Sequence, residues 1–163
     1  MRKALCCMVM AVGLLSACQP RSECFGSYQT LPLKGWALGD TVSFRVPAAE
    51  GERPCRLDLC LRTIPDYPKT GVMLMVRTEQ RRSEKDSTDV PDALPVTRRV
   101  AFPLGDSLNH RTGRGIALLQ YRRPFLQLSL NRGDTLLVDI WPDVATGDTL
   151  SGLSDVGVML SEE

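Results

Sequence analysis

The sequence predicts an all-β protein: a single-domain antiparallel β-sandwich behind an N-terminal lipoprotein signal peptide. Three observations predict it. Apolar and polar residues alternate with period two in one run after another. Turn-forming Gly, Pro, Asn and Asp residues separate these runs. Beyond the leader, no stretch keeps apolar residues at helical spacing. Period-two alternation buries one strand face and wets the other, as antiparallel sheets require.

The chain opens with basic Met1-Arg2-Lys3 and an apolar run from Ala4 to Leu15. That run is far shorter than the roughly 20 residues of a spanning helix. Leu15-Ser16-Ala17-Cys18 follows, a branched apolar residue and two small ones before a cysteine. The Cys18 thiol can take a diacylglycerol and become the mature N-terminus. The expected organisation is signal peptide 1–17, removed; lipidated tether 18–24, polar from Gln19 to Glu23; and sandwich domain 25–163. An ordinary secretory signal with an incidental cysteine is the alternative, and it too exports the chain.

The strands come next in order. Val42, Phe44 and Val46 alternate with Thr41, Ser43 and Arg45, just after the turn residues Gly39-Asp40. Leu57, Leu59 and Leu61 alternate with Arg56, Asp58, Cys60 and Arg62, the cleanest strand of the chain. Pro65 and Pro68 flank Tyr67 behind it. Val72 to Val76 is apolar on both faces and reads as a central strand. Arg81 to Asp92 is charged and polar, the pattern of a long exposed loop or hairpin tip. Val96 to Phe102 follows, then Leu126-Leu128-Leu130 and Leu136-Val138-Ile140. Asn131-Arg132-Gly133-Asp134 lies between the last two and reads as a hairpin turn. Val156 to Leu160 closes the domain.

Composition bounds the function. The formal charge of +1 becomes −1 once Arg2 and Lys3 leave with the signal. A nearly neutral domain has no electrostatic reason to bind nucleic acid or to lie on anionic lipid. Attachment to a membrane then rests on the lipid. Of six cysteines, Cys6 and Cys7 leave with the signal and Cys18 carries lipid, so Cys24, Cys55 and Cys60 remain. Cys55 and Cys60 on one strand sit roughly 16 Å apart on opposite faces, beyond the ~7 Å a disulfide spans. Cys24 could pair with one of them in an oxidising compartment; otherwise all three stay as thiols. No metal site is expected, because His110 has no ligand spacing to the cysteines.

Catalytic constellations are sparse. A triad could be built only around His110, in the turn-like Asn109–Gly113 segment, where an exposed loop histidine is the plainer reading. Gly113-Arg114-Gly115 is too short for a phosphate loop. Asp148 and Asp155 read as loop carboxylates. Trp36 and Trp141, with Tyr28 and Tyr67, could form a sugar-stacking platform, although core or rim packing is the commoner fate of such residues.

Longer blocks carry a resemblance. Tyr28, Leu31-Pro32, Gly35-Trp36, Asp40 to Phe44 and Val46-Pro47 come first. Leu57-x-Leu59-x-Leu61-Arg62-Thr63 and Tyr67-Pro68 follow, then Leu150-x-Gly152-Leu153-x-Asp155-Val156-Gly157-Val158. In this order, behind the lipobox, they resemble the GldH gliding-motility lipoproteins of Bacteroidetes. The resemblance implies a non-catalytic component or assembly factor of the gliding and associated secretion machinery. It implies no cofactor beyond the acyl lipid on Cys18. The expected partners are the membrane, through that lipid, and other envelope gliding and secretion proteins; a small-molecule ligand is not expected. Trp36, Tyr67 and Arg114 form the candidate interaction surface, the alternative being that Tyr67-Pro68 is a turn and Trp36 a core cap. Gln19 stands where an inner-membrane retention aspartate would, and Pro20 to Glu23 lack an acidic surface-export cluster. The expected location is therefore the periplasmic face of the outer membrane. The competing function is a glycan-binding envelope sandwich.

Overall fold

A computed structural model describes residues 23–48, 53–81, 94–108 and 110–162. The expected signal peptide, Cys18 and residues 82–92 of the charged segment lie outside the described residues. Among those described, all regular structure is strand: β1 (Glu23–Thr30), β2 (Trp36–Ala37), β3 (Val42–Pro47), β4 (Arg53–Thr63) and β5 (Gly71–Arg81), then β6 (Val96–Pro103), β7 (Leu119–Leu130), β8 (Thr135–Pro142), β9 (Thr149–Leu150) and β10 (Leu153–Glu162). The first sheet has the order β1-β10-β4-β7 and the second β3-β8-β5-β6, with β2 and β9 forming a small ribbon. All pairings are antiparallel.

The alternation read from the sequence decides which way each strand faces. Leu57, Leu59 and Leu61 of β4 sit opposite Leu160, Val158 and Val156 of β10, and all six are buried. They meet Phe44 and Val46 of β3, Leu74 and Val76 of β5 and Val138 and Ile140 of β8 in one continuous core. Each such side chain contributes about 1.5–3 kcal/mol by leaving water, which fixes register, because a one-residue slip would turn a whole apolar row outward. β5 is interior as expected, but its faces differ: Val72, Leu74 and Val76 are buried while Met73 and Met75 are only partly covered.

Two expectations need correction. Asn131–Asp134 is a tight turn, closed by the Asp134 amide on the Asn131 carbonyl at 3.0 Å, with Gly133 at a φ of 89°. It is not a hairpin turn, because β7 belongs to the first sheet and β8 to the second. The chain crosses between layers there, and the buried Asp134 carboxylate anchors the crossing by accepting from the Asn131 amide at 3.1 Å and the Gln80 side-chain amide at 3.0 Å. The tether is also shorter than expected, since Glu23 and Cys24 are already strand. Within the two four-stranded sheets only β5 and β6 are both paired and consecutive. Nearly every connection therefore changes layer, a topology of long-range contacts.

Candidate functional site

The outward positions of β4 are Arg56, Asp58, Cys60 and Arg62. Solvent-facing positions should be wet, yet Asp58 is 0% exposed. Its covering is made of guanidinium groups. Arg56, two residues earlier, places Nε 2.7 Å from Oδ1 and Nη2 3.1 Å from Oδ2. Arg122 of β7 brings its Nε to 2.5 Å from Oδ2. Its other two nitrogens go elsewhere: Nη1 donates to Glu23 Oε1 at 2.5 Å and Nη2 to Ser161 Oγ at 2.7 Å. One guanidinium thus ties together all four strands of the first sheet, since Glu23 is on β1, Asp58 on β4 and Ser161 on β10. A carboxylate removed from water is tolerated only with paired charge and satisfied lone pairs, and this site supplies both. Burial works against the Arg122 charge, but the hydrogen bonds to Asp58 and Glu23 outweigh it and raise its pKa beyond the ordinary arginine value.

A second outward cluster adjoins the first. Gly157 of β10 lies between Tyr28 of β1 and Cys60 of β4. With no Cβ there, the Tyr28 ring lies across the strand; a Cβ would come within 2.6 Å of its Cδ1. Arg62 stacks on that ring, its guanidinium carbon 4.0 Å from the centroid, a favourable cation–π contact. Burial, with help from the neighbouring Cys60 thiol, pushes the Tyr28 hydroxyl well above its ordinary range. Burial likewise pushes the Cys60 thiol up. Both groups stay neutral, and Cys60 is no ready nucleophile.

Beside Arg56, Asp58 and Arg122 the surface opens into a polar cleft of about 580 Å³ along the β7 edge. Pro124 interrupts the ladder here, opposite Asp58 where the register shifts, which an edge strand tolerates. Arg123 and Arg114 complete the cationic lining. Arg123 donates to Thr112 Oγ1 at 2.8 Å and to the Pro103 carbonyl at 3.4 Å. Arg114 is held by a backbone pair with Gln120, at 2.9 and 2.8 Å. The tight return between them needs Gly115, whose φ is 133° and whose added Cβ would lie 2.1 Å from the Leu118 carbonyl oxygen.

The three residues expected to share an interaction surface do not share one. Arg114 is exposed. Trp36 is 0% and Tyr67 1% exposed, both within the core. Trp36 donates its indole N–H to the Asp40 carbonyl at 2.6 Å, so the Gly35-Trp36 block caps the core from within. Tyr67 packs beneath the 64–67 turn, closed by its own amide on the Ile64 carbonyl at 3.2 Å. A sugar platform using both rings is therefore not presented to solvent, and Trp141 is half-buried on β8. His110 is exposed, 3.5 Å from an Asp106 oxygen. Asp155 is a correction: it lies on β10, buried, and accepts from Thr30 Oγ1 at 3.0 Å and Ser154 Oγ at 2.6 Å. Cys24, Cys55 and Cys60 are in no disulfide, with Cys24 exposed and the other two buried. Among the described residues, no group of three His, Cys, Asp or Glu side chains could hold a metal ion.

Arg122, Arg123 and the buried state of Asp58 escaped the sequence reading. The available signal was an aspartate flanked by Arg56 and Arg62 on the wet face of the cleanest strand, together with the adjacent Arg122-Arg123 pair.

These features define an all-β, antiparallel two-sheet domain whose first strand closes against its last strand. A family model described as GldH lipoprotein matches residues 23–160, from the first residue of β1 to the end region of β10. The chain belongs to the GldH lipoprotein family. It is thereby a membrane-anchored lipoprotein associated with the cell envelope, in a family related to gliding motility. No curated protein matches the chain.

Proposed function

We propose that this protein is a non-catalytic component or assembly factor of the gliding and associated secretion machinery, held by a lipid on Cys18 at the periplasmic face of the outer membrane. The observation that carries the reading is the family match across residues 23–160, behind a lipobox in the sequence. The chemistry of the polar groups supports it. The buried carboxylates of Asp58, Asp134 and Asp155 accept hydrogen bonds that join strands or secure turns. The thiol of Cys60 and the hydroxyls of Tyr28 and Tyr67 are pushed towards their neutral forms. Groups committed in this way serve rigidity rather than proton transfer or nucleophilic attack. Being held in place beside other envelope proteins is then the main task of the domain. Deleting the gene in the source organism should impair surface spreading and protein secretion; unchanged behaviour in both would refute the proposal.

A further inference from the structure

Among the described residues, the cleft at the β7 edge holds more positive charge than its ion pairs consume. Arg56 and Arg122 are neutralised by Asp58 and Glu23. Among the described residues, Arg123 donates only to neutral oxygens. Arg114 makes no ion pair among the described residues. Among the described residues, two guanidiniums without an acidic partner therefore face one recess together with the Thr112 hydroxyl and the Gln120 amide. Planar guanidinium forks match tetrahedral oxyanions through paired N–H donors, and such charge-assisted bonds are the stronger ones. A recess of about 580 Å³ also has room for more than a single small ion.

Position says where the anion comes from. The cleft wall is tied through Arg122 to Glu23, the first described residue. Cys18 lies five residues earlier in the sequence, a reach of at most about 18 Å of extended chain. A lipid on Cys18 therefore keeps this cleft within reach of the headgroup layer. We infer that the arginine cleft binds a phosphate group carried by an anionic lipid headgroup of the anchoring membrane. The source of the phosphate rests on the proposed anchoring at Cys18; the affinity of the cleft for phosphate does not. Such a contact would orient the sandwich on the membrane, which a single lipid attachment point does not do by itself.

The test uses the full lipidated chain purified in a nonionic detergent, titrated calorimetrically with three probes. These are dihexanoyl phosphatidylglycerol below its micelle concentration, inorganic phosphate, and a hexaglutamate peptide. Phosphatidylglycerol should bind saturably and more tightly than inorganic phosphate, and added salt should weaken it. Arg114→Glu should lower that affinity about tenfold or more, the loss of one charge-assisted contact and the gain of a repulsive charge. Arg114 is exposed and, among the described residues, bonds only through its backbone, so the variant should keep the wild-type circular dichroism and melting temperature. Arg123→Gln should show the same loss of binding. Absence of saturable phosphate binding, or equal affinity in wild type and both variants, overturns the inference. Inorganic phosphate binding as tightly as the lipid overturns the headgroup as its source. Tighter binding of the peptide overturns it in favour of an acidic protein partner. These readouts are independent of spreading and secretion, so failure here and failure of the proposed function are told apart.

Discussion

Replacing Asp58 with Asn removes the negative charge on which two guanidiniums converge. Asp58 accepts three hydrogen bonds, at 2.7 and 3.1 Å from Arg56 and 2.5 Å from Arg122. Deleting one partner of a buried ion pair costs about 3–5 kcal/mol, because the remaining charge stays desolvated. Here the Arg56 and Arg122 side chains are 17% and 29% exposed, so water recovers part of that loss. Asn also keeps one carbonyl oxygen as an acceptor. The expected destabilisation is therefore at the low end, about 3 kcal/mol. For a chain of this size that lowers the melting temperature by roughly 6–12 °C. Glu23→Gln is the internal control. Its side chain is 51% exposed, so the Glu23–Arg122 pair should contribute less than about 1 kcal/mol. Urea and thermal unfolding followed by far-ultraviolet circular dichroism measure both. If Asp58→Asn falls within about 0.5 kcal/mol of wild type, the range of an ordinary surface substitution, then Arg122 does not bind the first sheet together as described.

Three further predictions concern other parts of the fold. Gly157→Ala places a Cβ 2.6 Å from Tyr28 Cδ1 and 2.7 Å from the Ser27 carbonyl oxygen, so it should destabilise by about 1–3 kcal/mol and weaken β1 pairing in amide hydrogen exchange. Tyr67 is buried with its hydroxyl lacking a hydrogen-bond partner among the described residues, and burial pushes its pKa from 10.0 up to about 12, with Arg111 opposing. Because the folded value is the raised one, stability is level in this group below pH 10 and falls as pH rises from 10 through 12, where ionisation favours the unfolded chain; Tyr67→Phe should flatten that alkaline loss and leave stability at pH 7 unchanged or higher, read by thermal melts across pH. His110→Ala should leave both melting temperature and the ability to restore spreading unchanged, since the imidazole is 76% exposed and 3.5 Å from its Asp106 partner.

The strands with clean alternation were legible in the sequence because burial of one face imposes it. β1 was not. Its residues Glu23-Cys24-Phe25-Gly26 carry a register shift between Glu23 and Phe25, and its outward tyrosine needs a glycine on another strand to lie flat. β2 and β9 are two residues each, too short for any period to appear. The 131–134 turn was legible as a turn, because Gly133 and Asp134 are local signals. Which sheet follows it depends on strands far away in sequence. The same limit hid the candidate site: Asp58 and Arg122 are 64 residues apart, and only the β4–β7 register brings them together. Trp36 and Tyr67 show the converse difficulty. An aromatic residue beside Gly or Pro fits a core cap as well as a binding surface, and here packing decides for the core. Arg114, flanked by two glycines, is the one member of the expected trio that lies exposed.

The proposed function requires that the folded sandwich be anchored at Cys18. The direct measurement is complementation of a deletion strain with the wild-type gene or with Cys18→Ser, scoring spreading, secretion and incorporation of a fatty-acid analogue. The wild type should take up the label and restore both behaviours, while Cys18→Ser should accumulate as folded protein, take up no label and restore neither. Full restoration by unlabelled Cys18→Ser would contradict the account.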